Sequence, residues 1–181
     1  MEEVDAAVVA RARRGDRGAF AAVVRHYDAG LRALAYRLLG DRERMDDALQ
    51  EAYVRAFRGL PRFRGGSSLG TWLYRIAYNA CIDEPRQTAD VVPLELVRER
   101  PDRRSGVAER AAASGDLAAA LASLPPAERA AVILVDAQGF DYREAAAVLD
   151  VPPGTLASRL NRARGRLRQA LAGDTKGAAS P

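Results

Sequence analysis

Apolar side chains recur at steps of three and four along most of this chain, a spacing that predicts helices and no strands. Over residues 20–38 the stripe is Phe20, Val23, Val24, Tyr27, Leu31, Leu34 and Leu38, and Gly40-Asp41 supplies the stop. A helix over 4–14, broken at Gly15-Asp16, is expected before it. The next helix is expected to start near residues 44–46, to carry Leu49, Tyr53, Phe57 and Leu60 on one face, and to end at Pro61. Residues 62–68 read as a loop, with Ser67 or Ser68 capping a helix whose core face is Leu69, Trp72, Leu73, Ile76, Ala77 and Ala80.

The second half has a sharper pattern. Leu124-Pro125-Pro126 precedes a helix over 127–138 that Gly139 ends. Asp141 with Glu144 forms a capping box for a short helix to Leu149. Val151-Pro152-Pro153-Gly154 turns the chain, and Thr155 is expected to cap a longer helix to Leu171. Short helix, tight turn, longer helix is the helix-turn-helix plan. Between the halves, Pro85, Pro93 and Pro101 interrupt a polar stretch too long for a loop inside a compact domain. The expectation is all-α: two small helical domains, 1–84 and 114–173, joined by a flexible linker over 85–113, with a disordered tail over 174–181.

Composition narrows the function. The chain has 181 residues, 48% of them apolar, enough to build cores. One cysteine and one histidine leave no internal disulfide and little scope for metal ligation or nucleophilic catalysis, so no catalytic residue, metal or cofactor is expected. His26 and Cys81 read as ordinary packing residues. No apolar run nears the ~20 residues that span a bilayer, and the acidic Met1-Glu2-Glu3-Val4-Asp5 start does not resemble a signal peptide. A cytoplasmic, non-enzymatic protein is expected.

The charge is +4, from 28 basic and 24 acidic residues, and Lys176 is the only lysine. Thirty-seven alanines beside the arginines fit a GC-rich coding sequence. Arginine also presents the planar, bidentate donors that suit phosphate and guanine. Its distribution is more telling than its number. Residues 155–171 hold Arg159, Arg162, Arg164, Arg166 and Arg168 and no acid. Leu156, Leu160, Ala163, Leu167 and Ala170 are expected to form that helix's buried stripe, so Ser158, Arg159, Asn161 and Arg162 face outward in the half that enters a major groove. A solvated basic face is the plainer explanation; the capped helix and Pro-Pro-Gly turn upstream favour DNA.

Two further surfaces stand out. Asp46, Asp47, Gln50, Glu51 and Val54 lie opposite the Leu49/Tyr53/Phe57 stripe. The helix dipole accounts for acids in a first turn, whereas Gln50, Glu51 and an exposed Val54 suit a protein contact. On the helix after the 62–68 loop, Thr71, Arg75, Tyr78 and Ile82 face away from the core, with Tyr74 and Asn79 at the borders. Exposed arginine beside aromatics suits phosphate pairing and base stacking on a single strand; packing of Tyr78 on a neighbour is the plainer alternative.

Three segments, in this order, resemble the extracytoplasmic-function (ECF) group of bacterial sigma factors. Tyr36-Arg37-Leu38-Leu39-Gly40-Asp41-Arg42 running into Asp46-Asp47-Ala48-Leu49-Gln50-Glu51-Ala52-Tyr53 is similar to region two. The resemblance implies that Asp47, Gln50, Glu51 and Val54 dock on the β′ clamp helices of core RNA polymerase, with the β subunit a further contact. The stretch from Phe63-Arg64-Gly65-Gly66-Ser67-Ser68 to Tyr78-Asn79 resembles the element that captures unpaired minus-ten bases. It implies single-strand contacts from Arg62, Phe63, Arg64, Ser67, Ser68, Thr71, Arg75, Tyr78 and Asn79. The stretch from Leu124-Pro125-Pro126 to Arg162-Ala163-Arg164 is similar to region four. It implies minus-thirty-five duplex contacts from Thr155, Ser158, Arg159, Asn161, Arg162, Arg164 and Arg166. An anti-sigma partner is implied too, and no membrane insertion.

The chain departs from the family where Glu84-Pro85-Arg86-Gln87 replaces a basic run, where Ala157 stands for a usual Lys or Arg, and where Asn161 stands for a larger ring. Rival readings are a helix-turn-helix repressor, a nucleic-acid-modifying enzyme and a pure protein-interaction module. The first predicts a homodimer on palindromic sites, the second a carboxylate cluster or cofactor site, and the third no promoter dependence.

Overall fold

The computed structural model describes residues 4–83 and 116–174, and every regular element among them is helical. The expected linker over 85–113 and the Glu84-Pro85-Arg86-Gln87 departure lie outside the described residues. Helices α1 (Ala6–Arg13) and α2 (Arg17–Leu39) separate at Gly15-Asp16. The Asp16 carboxylate starts α2 by accepting from the Ala19 amide at 3.0 Å and from the Arg11 guanidinium at 2.6 Å. Both bonds favour its charged form and hold its pKa below the ordinary carboxylate value. Gly40 closes α2 in the left-handed region, φ 72°, with its amide on the Tyr36 carbonyl at 2.8 Å.

Helix α3 (Arg42–Gly59) begins earlier than its apolar spacing implied, because the Asp41 carboxylate caps it through the Arg44 amide at 2.8 Å. Pro61 does not end the winding outright: a 3-10 turn, Leu60–Arg62, accommodates it in the first turn, where its missing N–H costs nothing. Helix α4 (Leu69–Asp83) is capped by Ser68, whose Oγ accepts from the Thr71 amide at 3.0 Å.

A helical stretch over 116–123 (α5) leads to α6 (Pro126–Val132), which widens into a π turn, Ile133–Ala137. The expected helix over 127–138 is thus split in two. Gly139, at φ 72°, lets the chain turn into α7 (Tyr142–Val148). The Asp141/Glu144 box forms reciprocally: Asp141 Oδ1 accepts from the Arg143 and Glu144 amides at 2.7 and 2.8 Å, and Glu144 accepts from the Asp141 amide at 3.1 Å. The last helix, α8 (Pro153–Asp174), starts ahead of Thr155. The Pro152 carbonyl accepts from the Thr155 and Leu156 amides, so Thr155 lies inside the first turn rather than capping it. Proline at the first helical position is already set at helical φ. The helix outruns its expected end at Leu171 and takes Asp174 from the expected tail.

One buried cluster runs through both halves, from Leu31, Leu34, Leu49 and Leu60 to Ile133, Leu134, Leu156 and Leu160. At the seam α4 packs on α7, and α2 on α6. Tyr74 of α4 meets Phe140 edge-on with ring centroids 4.8 Å apart. Gln138 Nε2 donates to the Gly30 carbonyl of α2 at 2.9 Å. Arg129 of α6 reaches the C-terminal end of α2, where Nη1 donates to the carbonyls of Arg37 at 3.3 Å and Leu38 at 3.1 Å. Its Nη2 donates to the carbonyls of Leu124 at 3.0 Å and Ala122.

Gly30 is required by this seam. A Cβ there would lie 1.9 Å from the Tyr74 Oη, and Tyr74 is buried with little room to move. Gly30→Ala should therefore destabilise the protein by ~1–3 kcal/mol through overpacking, despite the ~1 kcal/mol that alanine gains over glycine in a helix. Denaturant unfolding measures this, and Tyr74→Phe in the Gly30→Ala background should restore part of the loss.

Candidate nucleic-acid interface and docking groove

The candidate docking face forms where α3 leaves α2. Phe20, Leu49, Tyr53 and Phe57 floor a groove on which Gln50 and Val54 sit, and Phe20 and Phe57 meet edge-on at 5.1 Å. Val54 is 37% exposed, high for a valine on a helix of a packed protein. Tyr53 is held by its hydroxyl, which donates to Asp28 Oδ1 at 2.7 Å. Burial, then the Asp28 bond, raises the Tyr53 pKa well above its ordinary value, so the hydroxyl stays protonated as a donor. Arg32 reaches over to Asp46 at 2.7 Å and fixes the rim. Asp47 and Glu51 are exposed beside the groove. Glu51 accepts from Arg55 at 2.8 Å, and Arg55 also holds Asp83 of α4 at 2.8 Å. Those two bonds raise the Arg55 pKa, Asp83 contributing most.

The expected single-strand surface is only partly presented. Arg62, Arg64, Arg75 and Asn79 are exposed. Phe63 is half-buried against Trp72, centroids 5.2 Å apart, so Trp72 lies at the edge of the core rather than inside it. Ser67 and Ser68 are half-buried, Ser67 donating to the Ser68 carbonyl at 3.2 Å. Thr71 corrects the sequence expectation: it is buried, 3% exposed, with its hydroxyl 2.8 Å from Ser68 Oγ. The cap at Ser68 draws Thr71 inward, a local hydrogen bond overriding the helical-face count. Tyr78 is half-buried, with the Arg159 charge close enough to oppose the rise that burial imposes on its pKa.

On α8, Ser158, Asn161, Arg162 and Arg166 are exposed, and Thr155, Arg159 and Arg164 half-buried. Ser158 Oγ turns back to the Thr155 carbonyl at 2.8 Å. Arg164 is committed within the protein: Nε and Nη2 grip Asp136 at 3.0 and 2.5 Å, and Nη1 reaches the Tyr142 hydroxyl at 3.5 Å. The Asp136 fork raises its pKa further. Arg162 and Arg166 both bond Glu128 of α6. Sequence reasoning missed Glu128, Asp136 and Asp28, whose partners lie 25 to 38 residues away along the chain. It also missed Arg129 and Gln138, since a polar residue that bonds distant carbonyls leaves no periodic trace.

The comparisons agree with this geometry. Residues 23–90 match the sequence profile of Sigma-70 region 2, and residues 114–167 that of Sigma-70, region 4. The ECF RNA polymerase sigma factor SigM of Mycobacterium tuberculosis is 39% identical over 172 residues, covering 94% of this chain and 86% of SigM. Among solved structures, CnrH in complex with the cytosolic domain of CnrY aligns with a TM-score of 0.70 and 27% identity, over 93% of this chain and 97% of that one. The sigma factor RpoE in complex with the anti-sigma factor NepR from Bartonella quintana aligns at 0.65 and 31% identity, over 82% and 94%. The chain belongs to the ECF RNA polymerase sigma factors.

The tyrosine at the seam makes a pH prediction. Burial, then the neighbouring Tyr27, pushes the Tyr74 hydroxyl from 10.0 up to about 12. The fold therefore favours the neutral phenol, and the stability it contributes is complete below the unfolded value and lost as pH rises through the folded one. Unfolding midpoints should fall between pH 10 and 12, and Tyr74→Phe should make that fall shallower; an unchanged slope would remove Tyr74 from the seam's titration.

Proposed function

We propose that this chain is a dissociable specificity subunit of RNA polymerase whose three surfaces divide the work. The α3 face of Asp47, Gln50, Glu51 and Val54 binds core polymerase. Helix α8 enters the duplex at the minus-thirty-five element. The 62–68 loop with Arg75, Tyr78 and Asn79 captures an unpaired minus-ten strand, leaving Thr71 as a structural residue. The protein acts by binding, without a chemical step, in the cytoplasm where transcription occurs. No helix among the described residues is long and apolar enough to cross a membrane.

The observation that carries this reading is the pairing of the exposed Val54–Gln50 groove on α3 with an arginine-bearing α8 behind a capped α7. A helix-turn-helix repressor has no use for the first. Strand opening costs a few kcal/mol per unstacked base, and stacking returns ~1–3 kcal/mol for each base captured. Tyr78 is half-covered while α7 packs on α4 and the Arg159 charge of α8 lies near, so base stacking on it calls for the two halves to part. A protein that holds them together would block initiation. RpoE is bound by an anti-sigma factor, and the same class of partner is proposed here.

Run-off transcription with sigma-free core polymerase tests the reading: the chain should confer start-site choice on a promoter library, and failure on every template would overturn it. Val54→Glu should leave the helical signal and melting curve unchanged and weaken core association by ~2 kcal/mol or more, as expected at the centre of an interface. Undiminished co-purification with core polymerase would reject the α3 face.

A further inference from the structure

Helix α8 leans on a buried carboxylate. Among the described residues Glu128 is the only buried charged side chain, 7% exposed. It lies in the first turn of α6. Its Oε1 accepts from Arg162 Nε at 3.1 Å, and its Oε2 from Arg166 Nη1 at 2.8 Å. The two arginine side chains remain 56% and 51% exposed. A carboxylate withdrawn from water is costly unless it is paired and hydrogen-bonded, and an apolar residue often serves stability as well. Stability alone is therefore a weak account of an acid at this position.

The bond geometry supplies a better one. Arg162 uses only Nε on Glu128, so both terminal nitrogens keep free N–H donors. These form a planar fork that fits guanine O6 and N7 end-on. Arg162 lies in the N-terminal half of α8, the half that meets base edges in a helix-turn-helix. Arg166, one turn on, uses Nη1 and keeps donors for a backbone phosphate. The three charges sum to +1 at the surface, so the pair stays attractive to DNA.

We propose that Glu128 is a positioning residue for duplex recognition: it holds the Arg162 fork in the orientation that reads a guanine in the upstream element, and turns Arg166 toward the backbone. This rests on α8 being the duplex-reading helix. Locking the fork beforehand removes ordering that binding would otherwise require.

The experiment measures holoenzyme binding to a cognate upstream duplex and to single-pair variants of it. Wild-type holoenzyme without any base preference would overturn the reading of α8 itself. Given a wild-type preference, Glu128→Gln should lower discrimination at one base pair by about tenfold, with affinity for unrelated duplex held or raised. Arg162→Ala should lose the same discrimination, and Glu128→Gln should then add nothing to it, the non-additivity of residues acting through one another. Wild-type discrimination in Glu128→Gln, or the same additional loss in both backgrounds, would overturn the proposal. Should Glu128→Gln fail to fold by circular dichroism, Arg166→Met decides: discrimination should persist while the salt slope drops by about one, and lost discrimination would count against the assignment.

Discussion

The contact on which the arrangement of the two halves depends is made by Arg129. A helix ends with carbonyls that have no partner within it and with partial negative charge. At the end of α2, Gly40 takes the Tyr36 carbonyl, and Arg129 takes those of Arg37 and Leu38. The other side of the same guanidinium binds carbonyls of Ala122 and Leu124, where α5 passes into α6. One planar cation thus satisfies acceptors on both halves without a carboxylate. Burial pushes its pKa below the ordinary value, and its Nε is buried with no partner among the described residues. All four of its acceptors are backbone carbonyls.

The same economy of charge governs α8. Counting arginines along the chain suggests a strongly cationic helix, yet Glu128 and Asp136 answer Arg162, Arg166 and Arg164 from within the protein. What remains is a surface with directed donors more than a field of charge. Such a surface favours sequence discrimination over tight, indiscriminate binding to phosphates.

Helix identities, the Gly40 stop, the Asp141/Glu144 box and the helix-turn-helix were legible because each is set within one turn of chain. Periodicity located the core stripes for the same reason, and the family resemblance carried the function. The errors have physical causes of two kinds. Some are local competitions that a wheel does not weigh: Ser68 pulling Thr71 inside, Asp41 advancing the start of α3, Pro152 pre-empting Thr155 as the cap. The others are long-range: the seam residues Tyr74, Phe140 and Gln138 meet partners far along the chain.

The sole tryptophan sits at an informative place. Trp72 rests on Phe63 at the root of the 62–68 loop and close to Gly59, away from the Tyr74–Phe140 contact. Its indole emission would therefore follow the surroundings of the loop root while staying largely blind to the Tyr74–Phe140 contact. The molecule carries a native optical probe of that loop, separable from the seam without any label.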